Sequence, residues 1–473
     1  MGKKLNMRSA ISKELQKTFG VKHPNINFAE HHLSHAALAY KTSGFEDADI
    51  LIVDAVGEWA TTSVLTAKGN KIEVKQEQHF PDSLGMLYSA FTQFLGFKVN
   101  SDEYKVMGLA PYGDAESART KLFIAAIENQ LTEDWNEGFL KLHLPYFRYH
   151  YSDSMIVQDK WEKVFGIRPR QYGEQIEQHH ADLAYAIQHV LEKAITDIAT
   201  GMARNRTSDN LCLSGGVALN CAANGRLLKS DSGYRSIHVP FAPGDCGCSV
   251  GAALAYSMLN DERIDTDICP YLGPQFSYST ILSVLKKHSL TFVKYQGEEE
   301  LLDETCRLIA DNKIIGWFQG RMEMGPRALG NRSILADARN PEMKDWVNSR
   351  IKFREAFRPF APSIPEDDSA EYFDNNTASP YMMFTFKSKT EMLPSVTHID
   401  GTSRIQTVTL KSNPRYYRLL KTFKERTGCP VLLNTSFNIM GEPIVCSPED
   451  AVTTFNKSGL DYLVIGNYIV KKI

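Results

Sequence analysis

The chain has 473 residues, with 53 lysines and arginines against 56 aspartates and glutamates and a formal net charge of −3. This balance leaves no basic excess for non-specific nucleic-acid binding, so nucleic acid is not an expected partner. No apolar run approaches the roughly 18 residues of a membrane-spanning helix, and the charged start of the chain lacks a secretory apolar core. These properties predict a cytoplasmic protein without a membrane partner, long enough for two domains.

The first candidate site is a histidine pair in the segment HHLSHAALAY, which follows a predicted helix over 1–19. His31 and His35 are four residues apart, so a helix would place both side chains on one face. Two imidazoles in that arrangement can share one metal ion, although such a pair is more often an ordinary surface or core feature. The segment is therefore a candidate metal site.

The next segment, ILIVDAVGEWATTSVLTA, predicts a strand, a turn over 54–58 and an antiparallel partner strand. Asp54 ends the first strand in this prediction. A carboxylate at the end of a buried strand suits a cation ligand or a group that positions phosphate or water, and an ordinary turn aspartate fits equally well. Gly57 leaves room for the close approach of an anion.

Residues from about 115 to 178 carry many charges and aromatic side chains with weak periodicity. We interpret them as an insertion of the kind that covers a site or shapes specificity for an acceptor. A long amphipathic helix from about 180 to 205 then leads into the central motif of the chain.

That central motif is LCLSGGVALN, in which a buried strand stops at paired glycines and a helix follows. Gly215 and Gly216 let backbone N–H groups approach an anion at the N-terminus of a helix beginning near Val217, with Asn220 one turn inside. A tight turn without any nucleotide is the alternative, because two glycines after a strand are common.

The segment PGDCGCSVGAA predicts a loop that enters a helix of small residues. Asp245 lies at the start of that helix, where a capping role and a ligand role are equally compatible with the pattern. Cys246 and Cys248 could bind a metal ion, but small packing residues beside a turn are the more common case. Polar residues follow, and we place the domain boundary there, with domains over 1–262 and 270–473.

In the second domain, a strand over 313–318 opens into QGRMEMGPRALGNRSILADAR, where four arginines surround three glycines. Guanidinium groups bind phosphate oxygens in pairs, so this loop predicts a site for a small multiply charged anion; a solvated charged loop is the alternative. A second basic segment, KFREAFRPFAP, follows and can line the same cleft. Ser436 and Asn438 in NTSFN follow a later strand and suit polar ligand contacts.

Taken together and in this order, HHLSHA, DAVGEW, SGGVALN, PGDCG, MGPRALGNRS, KFREAFRPFAP and NTSFN resemble the landmarks of the O-carbamoyltransferases of the nodulation, cephamycin and aminoglycoside pathways. The resemblance spans almost the whole chain. It implies an α/β fold with an actin-like ATPase domain similar to the tRNA threonylcarbamoyl-adenosine transferase. It also implies a second, α+β domain similar to the threonylcarbamoyl-adenylate synthase.

The resemblance further implies the reaction. The second domain would use carbamoyl phosphate and ATP to form a carbamoyl adenylate, with release of phosphate and pyrophosphate. The first domain would move the carbamoyl group to a hydroxyl of a small-molecule or sugar acceptor. A divalent metal ion would take part, and two imidazoles favour iron, manganese or zinc over magnesium, the ion that commonly accompanies ATP.

The matching positions divide into three groups. The metal ligands would be His31, His35 and Asp245. The catalytic residues would be Asp54, Arg327, Arg332, Lys352 and Arg354. The nucleotide-binding residues would be Gly57, Gly215, Gly216, Val217, Asn220, Arg358, Ser436 and Asn438.

One departure from the family pattern concerns the start of the chain. Family members begin with a strand pair that carries a phosphate loop of the Asp-Ser-Ala type, whereas this sequence opens on a predicted helix. Either the chain is a truncated gene product, or a separate partner chain supplies the strands. Without them a sheet edge would be unpaired, so we also expect self-association at that edge. Two alternative functions follow: a metabolite kinase of the actin-like class, or a nucleotide-binding chain without catalytic turnover.

Overall fold

The structure is a computed structural model that describes residues 7–22, 24–262, 268–375 and 377–472. Its helices are α1 Met7–Phe19, α2 His31–Ser43, α3 Leu84–Phe94, α4 Glu103–Leu109, α5 Ala118–Ala126, α6 Gln158–Phe165, α7 Gln178–Ala203, α8 Cys221–Lys229, α9 Cys248–Leu259, α10 Tyr278–Lys287, α11 Glu298–Ala310, α12 Met343–Val347, α13 Ser369–Tyr372, α14 Pro414–Thr427 and α15 Pro448–Lys457.

Its strands are β1 Asp47–Gly57, β2 Ala60–Lys68, β3 Lys71–His79, β4 Thr132–Asn136, β5 Phe139–Leu142, β6 Asn210–Ser214, β7 Ser236–His238, β8 Phe292–Lys294, β9 Ile315–Phe318, β10 Arg332–Asp337, β11 Ala361–Pro365, β12 Phe386–Lys387, β13 Thr402–Ser403, β14 Gln406–Val408, β15 Leu432–Ser436, β16 Tyr462–Ile465 and β17 Tyr468–Lys471. Within the described ranges, no helix is both long enough and apolar enough to cross a bilayer.

The first sheet has the strand order β3-β2-β1-β6-β7 among the described residues. An antiparallel meander forms one half of it, because β2 pairs with both β1 and β3. The other half is parallel, since β6 pairs with β1 and β7 pairs with β6. Helices cover this sheet, with α2 and α9 packed against each other. This mixed sheet with helices packed against it gives the predicted α/β domain.

The end of β1 differs from the prediction. The strand runs on to Gly57, and the turn consists only of Glu58 and Trp59. The prediction that Asp54 ends the strand was therefore wrong. It followed from the low strand propensity of aspartate, which is unfavourable inside a strand. The pairing of β1 with β2 is interrupted between Val53 and Gly57, and this irregularity accommodates Asp54 within the strand.

The central motif also differs in detail. A short 3-10 turn over Gly216–Leu219 follows β6, and α8 begins only at Cys221. Asn220 is thus the N-cap of α8, where its side chain accepts a hydrogen bond from the Ala223 N–H, and not a residue one turn inside the helix. Gly215 has a φ of +90°, and a Cβ there would collide with the Val53 carbonyl oxygen, so this corner requires glycine.

The second sheet is mixed, with the order β14-β11-β15-β10-β9-β16-β17-β8 among the described residues. Helices α11 and α14 pack together over one face of it, which gives the predicted α+β domain. The chain ends in a hairpin of β16 and β17. One boundary differs from the sequence prediction, because β15 continues through Asn434 to Ser436.

The predicted insertion packs against the first domain. Trp161 and Phe165 of α6 contact Phe91 and Phe94 of α3, with ring centroids between 4.7 and 5.8 Å apart. The domain boundary predicted between 262 and 270 lies partly outside the described residues, as do residues 1–6 of the predicted opening helix. Both the boundary and the role of the insertion stay predictions.

Candidate metal centre and anion-binding cleft

Four side chains from three distant parts of the first domain converge on one point. The Nε2 atoms of His31 and His35 on α2 lie 3.1 Å apart. Each lies 3.2 Å from Oδ2 of Asp54 on β1. Oδ1 of Asp245, in the turn before α9, lies 3.5 Å from the His31 atom and 3.7 Å from the His35 atom. Two imidazoles with two carboxylates form a ligand set suited to a divalent transition ion.

Backbone contacts orient Asp54 within this cluster. Its Oδ1 accepts hydrogen bonds from the N–H of Ala55, at 2.8 Å, and of Gly216, at 3.2 Å. These bonds leave Oδ2 to face the imidazoles. A Cβ on Gly216 would lie 3.0 Å from Oδ1 of Asp54, and a Cβ on Gly57 would collide with the His31 ring. Both glycines therefore permit the close approach that builds the cluster.

The remaining contacts hold the histidines in place. His35 is fully buried, and its Nδ1 lies 3.4 Å from the Ser214 hydroxyl, which donates to the Pro243 carbonyl. This second contact fixes the ring so that Nε2 faces the carboxylates. His32 lies outside the cluster, because its Nδ1 contacts the Ser63 hydroxyl at 2.6 Å.

Electrostatics couple the imidazoles to the carboxylates. Hydrogen bonds to Asp245 and then Asp54 raise the pKa of His31 to about 9. Burial lowers the pKa of His35, but hydrogen bonds to Asp245 and Asp54 outweigh it and raise the value to about 11. Burial acts in the opposite direction on Asp54 and raises its pKa. The hydrogen bonds to His31 and His35 outweigh burial and hold the pKa of Asp54 well below its usual range. A divalent cation would occupy the place that the imidazole protons take here, since histidine binds metal as neutral imidazole.

Asp245 gives the cluster an open side. Its side chain is 78% exposed, whereas that of Asp54 is 9% exposed. The capping role that the sequence left open for Asp245 is wrong, because the N-cap of α9 is Gly247. The cluster thus has three largely enclosed side chains and one at its mouth, where a substrate could reach it.

The second domain brings the two basic segments and NTSFN together. The Lys352 ammonium donates to Oγ of Ser436 at 3.2 Å and to Oδ1 of Asn438 at 2.7 Å, and also to both of their carbonyl oxygens. Lys352 is buried, and that burial together with Arg354 and Arg358 places its pKa well below the ordinary value. Three residues predicted from two separate motifs therefore form one contact group.

Arginines extend this group toward the first domain. The Arg327 guanidinium donates to the Leu219 carbonyl of the first domain at 3.4 Å. Burial and then the charge of Arg404 lower the pKa of Arg327 to about 9, and burial and then Arg358 lower that of Arg354 to about 9. No residue that the structure describes accepts a hydrogen bond from Nε of Arg327 or of Arg404. Buried donors without partners are what a bound anion satisfies.

Two matches to sequence models of known families cover most of the chain. The model described as the carbamoyltransferase N-terminus matches residues 3–254, and the model described as the carbamoyltransferase C-terminus matches residues 306–472. The chain belongs to the carbamoyltransferase family. The family predicted from the sequence motifs is thereby confirmed.

Relatives of this carbamoyltransferase match it almost end to end. The nodulation protein NolNO of Sinorhizobium fredii is 40% identical, with 99% of this chain and 67% of that protein covered. The uncharacterized protein sll1178 of Synechocystis sp. is 41% identical, with 99% and 80% covered. Among solved structures, full-length HypF in its phosphate- and nucleotide-bound form has a TM-score of 0.28 at 16% identity, with 37% of this chain and 22% of that chain covered. A TM-score this low does not establish a shared fold.

Two predicted residues of the carbamoyltransferase have other contacts. Arg332 is fully buried and donates to the carbonyls of Gln319, Asn331 and Pro274 at 2.6, 3.0 and 3.2 Å, so its guanidinium holds the loop before β10. The Asn220 amide pairs reciprocally with the Gln188 amide at 2.9 and 3.0 Å. Phosphate binding by Arg332 and nucleotide binding by Asn220, together with that predicted for Gly57, Gly215, Gly216 and Val217, stay predictions.

Sequence reasoning missed Arg404. This residue stands alone in the segment GTSRIQTV, without a glycine-rich or basic pattern beside it. In the structure it lines the cleft between the domains together with Met107, Cys221 and Phe360. Only the path of the chain between β13 and β14 brings it to Arg327.

Proposed function

We propose that this carbamoyltransferase transfers the carbamoyl group of carbamoyl phosphate to a hydroxyl of a small-molecule or sugar acceptor. The reaction would consume ATP, proceed through a carbamoyl adenylate and depend on a divalent metal ion. The observation that carries the proposal is the cationic group of the second domain, in which Lys352 is buried and the arginines are half-buried; the arginines are Arg327, Arg354, Arg358 and Arg404.

The charges of this group favour a multiply charged ligand. Burial and mutual repulsion disfavour the cations, which is why the pKa values of Arg327, Lys352 and Arg354 are lowered. Glu355 provides only partial compensation, since it also pairs with Lys105 at 2.9 Å. The phosphate of carbamoyl phosphate and the phosphates of ATP would supply the missing negative charge through paired guanidinium contacts. Carbamoyl phosphate is a poor acylating agent for an alcohol, so conversion to an adenylate would activate the carbamoyl group.

The His31, His35, Asp54 and Asp245 cluster fits the metal ion that the family resemblance implies, since its donors are two imidazoles and two carboxylates. A bound ion would act as a Lewis acid on the carbamoyl carbonyl or lower the pKa of the acceptor hydroxyl. Asp54 would hold its oxygen toward the ion through its bonds to Ala55 and Gly216. Asp245, at the open mouth, would face the acceptor side.

A product assay tests the reaction. The protein is incubated with ATP, carbamoyl phosphate and a panel of hydroxylated metabolites. We expect pyrophosphate and AMP that depend on carbamoyl phosphate, and an acceptor whose mass increases by one carbamoyl group. Formation of ADP with a phosphorylated acceptor would instead identify a kinase and refute the proposal.

Two variants that each remove one lysine charge test whether the reaction depends on the cationic group. Lys352→Ala should abolish pyrophosphate release that depends on carbamoyl phosphate, because it removes a buried cation of the group. Lys286→Ala on α10, whose side chain is exposed, removes the same charge away from the group and should leave the rate unchanged. Equal rates in the two variants would contradict the assignment.

A further inference from the structure

The thiol of Cys248 lies against the same two imidazoles as the carboxylates. Its Sγ and the ligand nitrogens of His31 and His35 lie within 4.8 Å of one another, and the side chain is half-buried. The sequence left this cysteine as either a packing residue or a metal ligand. Its position beside the histidine pair favours the second interpretation.

The turn before α9 explains how Cys248 reaches the site. Residues Asp245–Gly247 form a 3-10 turn that runs directly into α9. Side chains three residues apart in a 3-10 turn lie one above the other, so Asp245 and Cys248 project to the same side. Cys246, between them, is exposed.

The histidine pair therefore belongs to two separate ligand sets among the described residues. One set is His31, His35, Asp54 and Asp245, and the other is His31, His35 and Cys248. Carboxylates suit magnesium and manganese, whereas thiolates select zinc and other thiophilic ions. Two imidazoles and one thiolate also form a three-ligand set that leaves a position open, as catalytic zinc sites do.

We propose that Cys248 is a metal ligand of this centre, used when the bound ion is thiophilic, so that the thiol of Cys248 sets which ion the centre prefers. The inference rests on the metal centre of the proposed function and adds a ligand and a selectivity to it. Alkylation or oxidation of Cys248 would then shift the preference toward ions that bind through the carboxylates.

Cobalt spectroscopy tests the proposal without any turnover. The full chain is stripped of metal with a chelator and loaded with Co²⁺, and its near-ultraviolet absorption is recorded. We expect a thiolate-to-cobalt charge-transfer band in the native protein. Cys248→Ser should lose that band while keeping the visible cobalt bands, and Cys246→Ser, two residues away, should keep both.

Metal affinities provide an independent readout. Cys248→Ser should weaken Zn²⁺ binding by more than the roughly tenfold to hundredfold that loss of an outer-shell partner costs, with a smaller effect on Mn²⁺. A native protein that binds cobalt without the charge-transfer band, or a band that survives in Cys248→Ser, would overturn the role of Cys248 alone. Equal cobalt binding by native protein and His35→Ala would instead overturn the metal centre on which the inference rests.

Discussion

At the scale of single residues, the proposed metal centre depends on glycines, whose missing side chains let larger side chains approach one another. Gly57 carries no Cβ, and the His31 ring occupies the space that a Cβ would need. Asp54 faces both imidazoles because two backbone N–H groups hold its other oxygen. Substitutions at these residues should therefore weaken metal binding more than they destabilise the fold.

Gly57→Ala should lower the metal affinity at least about tenfold, because the new methyl group displaces the His31 ring. Its matched control is Gly297→Ala, where the nearest atoms lie 3.8 Å or more from the new Cβ. Metal content of both purified variants, measured by elemental analysis, checks the expectation. Full occupancy in Gly57→Ala would show that the His31 ring does not need its present position.

Asp54→Asn tests whether the carboxylate is a ligand or only a partner of the imidazoles. The amide keeps the shape of the side chain but lacks the charge, so we expect metal affinity to fall by more than the roughly tenfold to hundredfold that loss of an outer-shell partner costs. Titration of the stripped protein with Mn²⁺ measures the change. An affinity within a factor of about two of the native value would remove Asp54 from the ligand set.

At the scale of elements, the contact between α2 and α9 determines how near Asp245 comes to the histidines. The two helices pack closely, and a Cβ on Gly251 of α9 would collide with the Ser34 carbonyl of α2. Glycine inside a helix ordinarily costs stability relative to alanine. At this position the close helix contact outweighs that cost.

Gly251→Ala should consequently destabilise the protein by about 1–3 kcal/mol, the usual cost of overpacking, and should weaken metal binding because α9 moves away from α2. Ser249→Ala, at an exposed position on the same helix, serves as the control. Thermal or urea unfolding of the two variants gives the comparison. A Gly251→Ala variant more stable than the native protein would show that α2 and α9 leave space for the added methyl group.

At the scale of the whole molecule, the proposed anion-binding cleft is assembled from both domains. Arg327 reaches from the second domain to the Leu219 carbonyl of the first, and Lys105 of the first domain pairs with Glu355 of the second at 2.9 Å. The cations that remain repel one another in partly buried surroundings. Stability and anion binding should therefore respond in opposite directions when one cation is removed.

Arg404→Ala should raise the unfolding temperature of the ligand-free protein, because it relieves repulsion on Arg327 and Arg354. It should also weaken pyrophosphate binding by about tenfold to hundredfold, the loss expected for one charge-assisted contact of roughly 1.5–3 kcal/mol. Thermal unfolding with and without pyrophosphate measures both effects. Arg418→Ala, which removes an exposed arginine paired with Glu298, is the control. An equal pyrophosphate-induced shift in the two variants would exclude Arg404 from the site.

The sequence by itself determined the family and the α/β character, and it indicated most of the candidate site residues. His31 and His35 could be assigned to one helix face because helical spacing is a local property. The strand before Gly215 and the basic loops of the second domain were likewise recognisable, since apolar runs, glycines and arginines mark them within short segments.

Only the tertiary structure decided which of these groups meet. Asp54 joins the histidines through an irregularity in strand pairing, and Cys248 joins them through a 3-10 turn, neither of which residue spacing predicts. Arg404 lies in the cleft without any local motif, whereas Arg332, within a strong motif, has both terminal nitrogens of its guanidinium bonded to backbone carbonyls. The physical reason is that a site requires distances between residues far apart in the chain, and those distances follow from sheet order and helix packing.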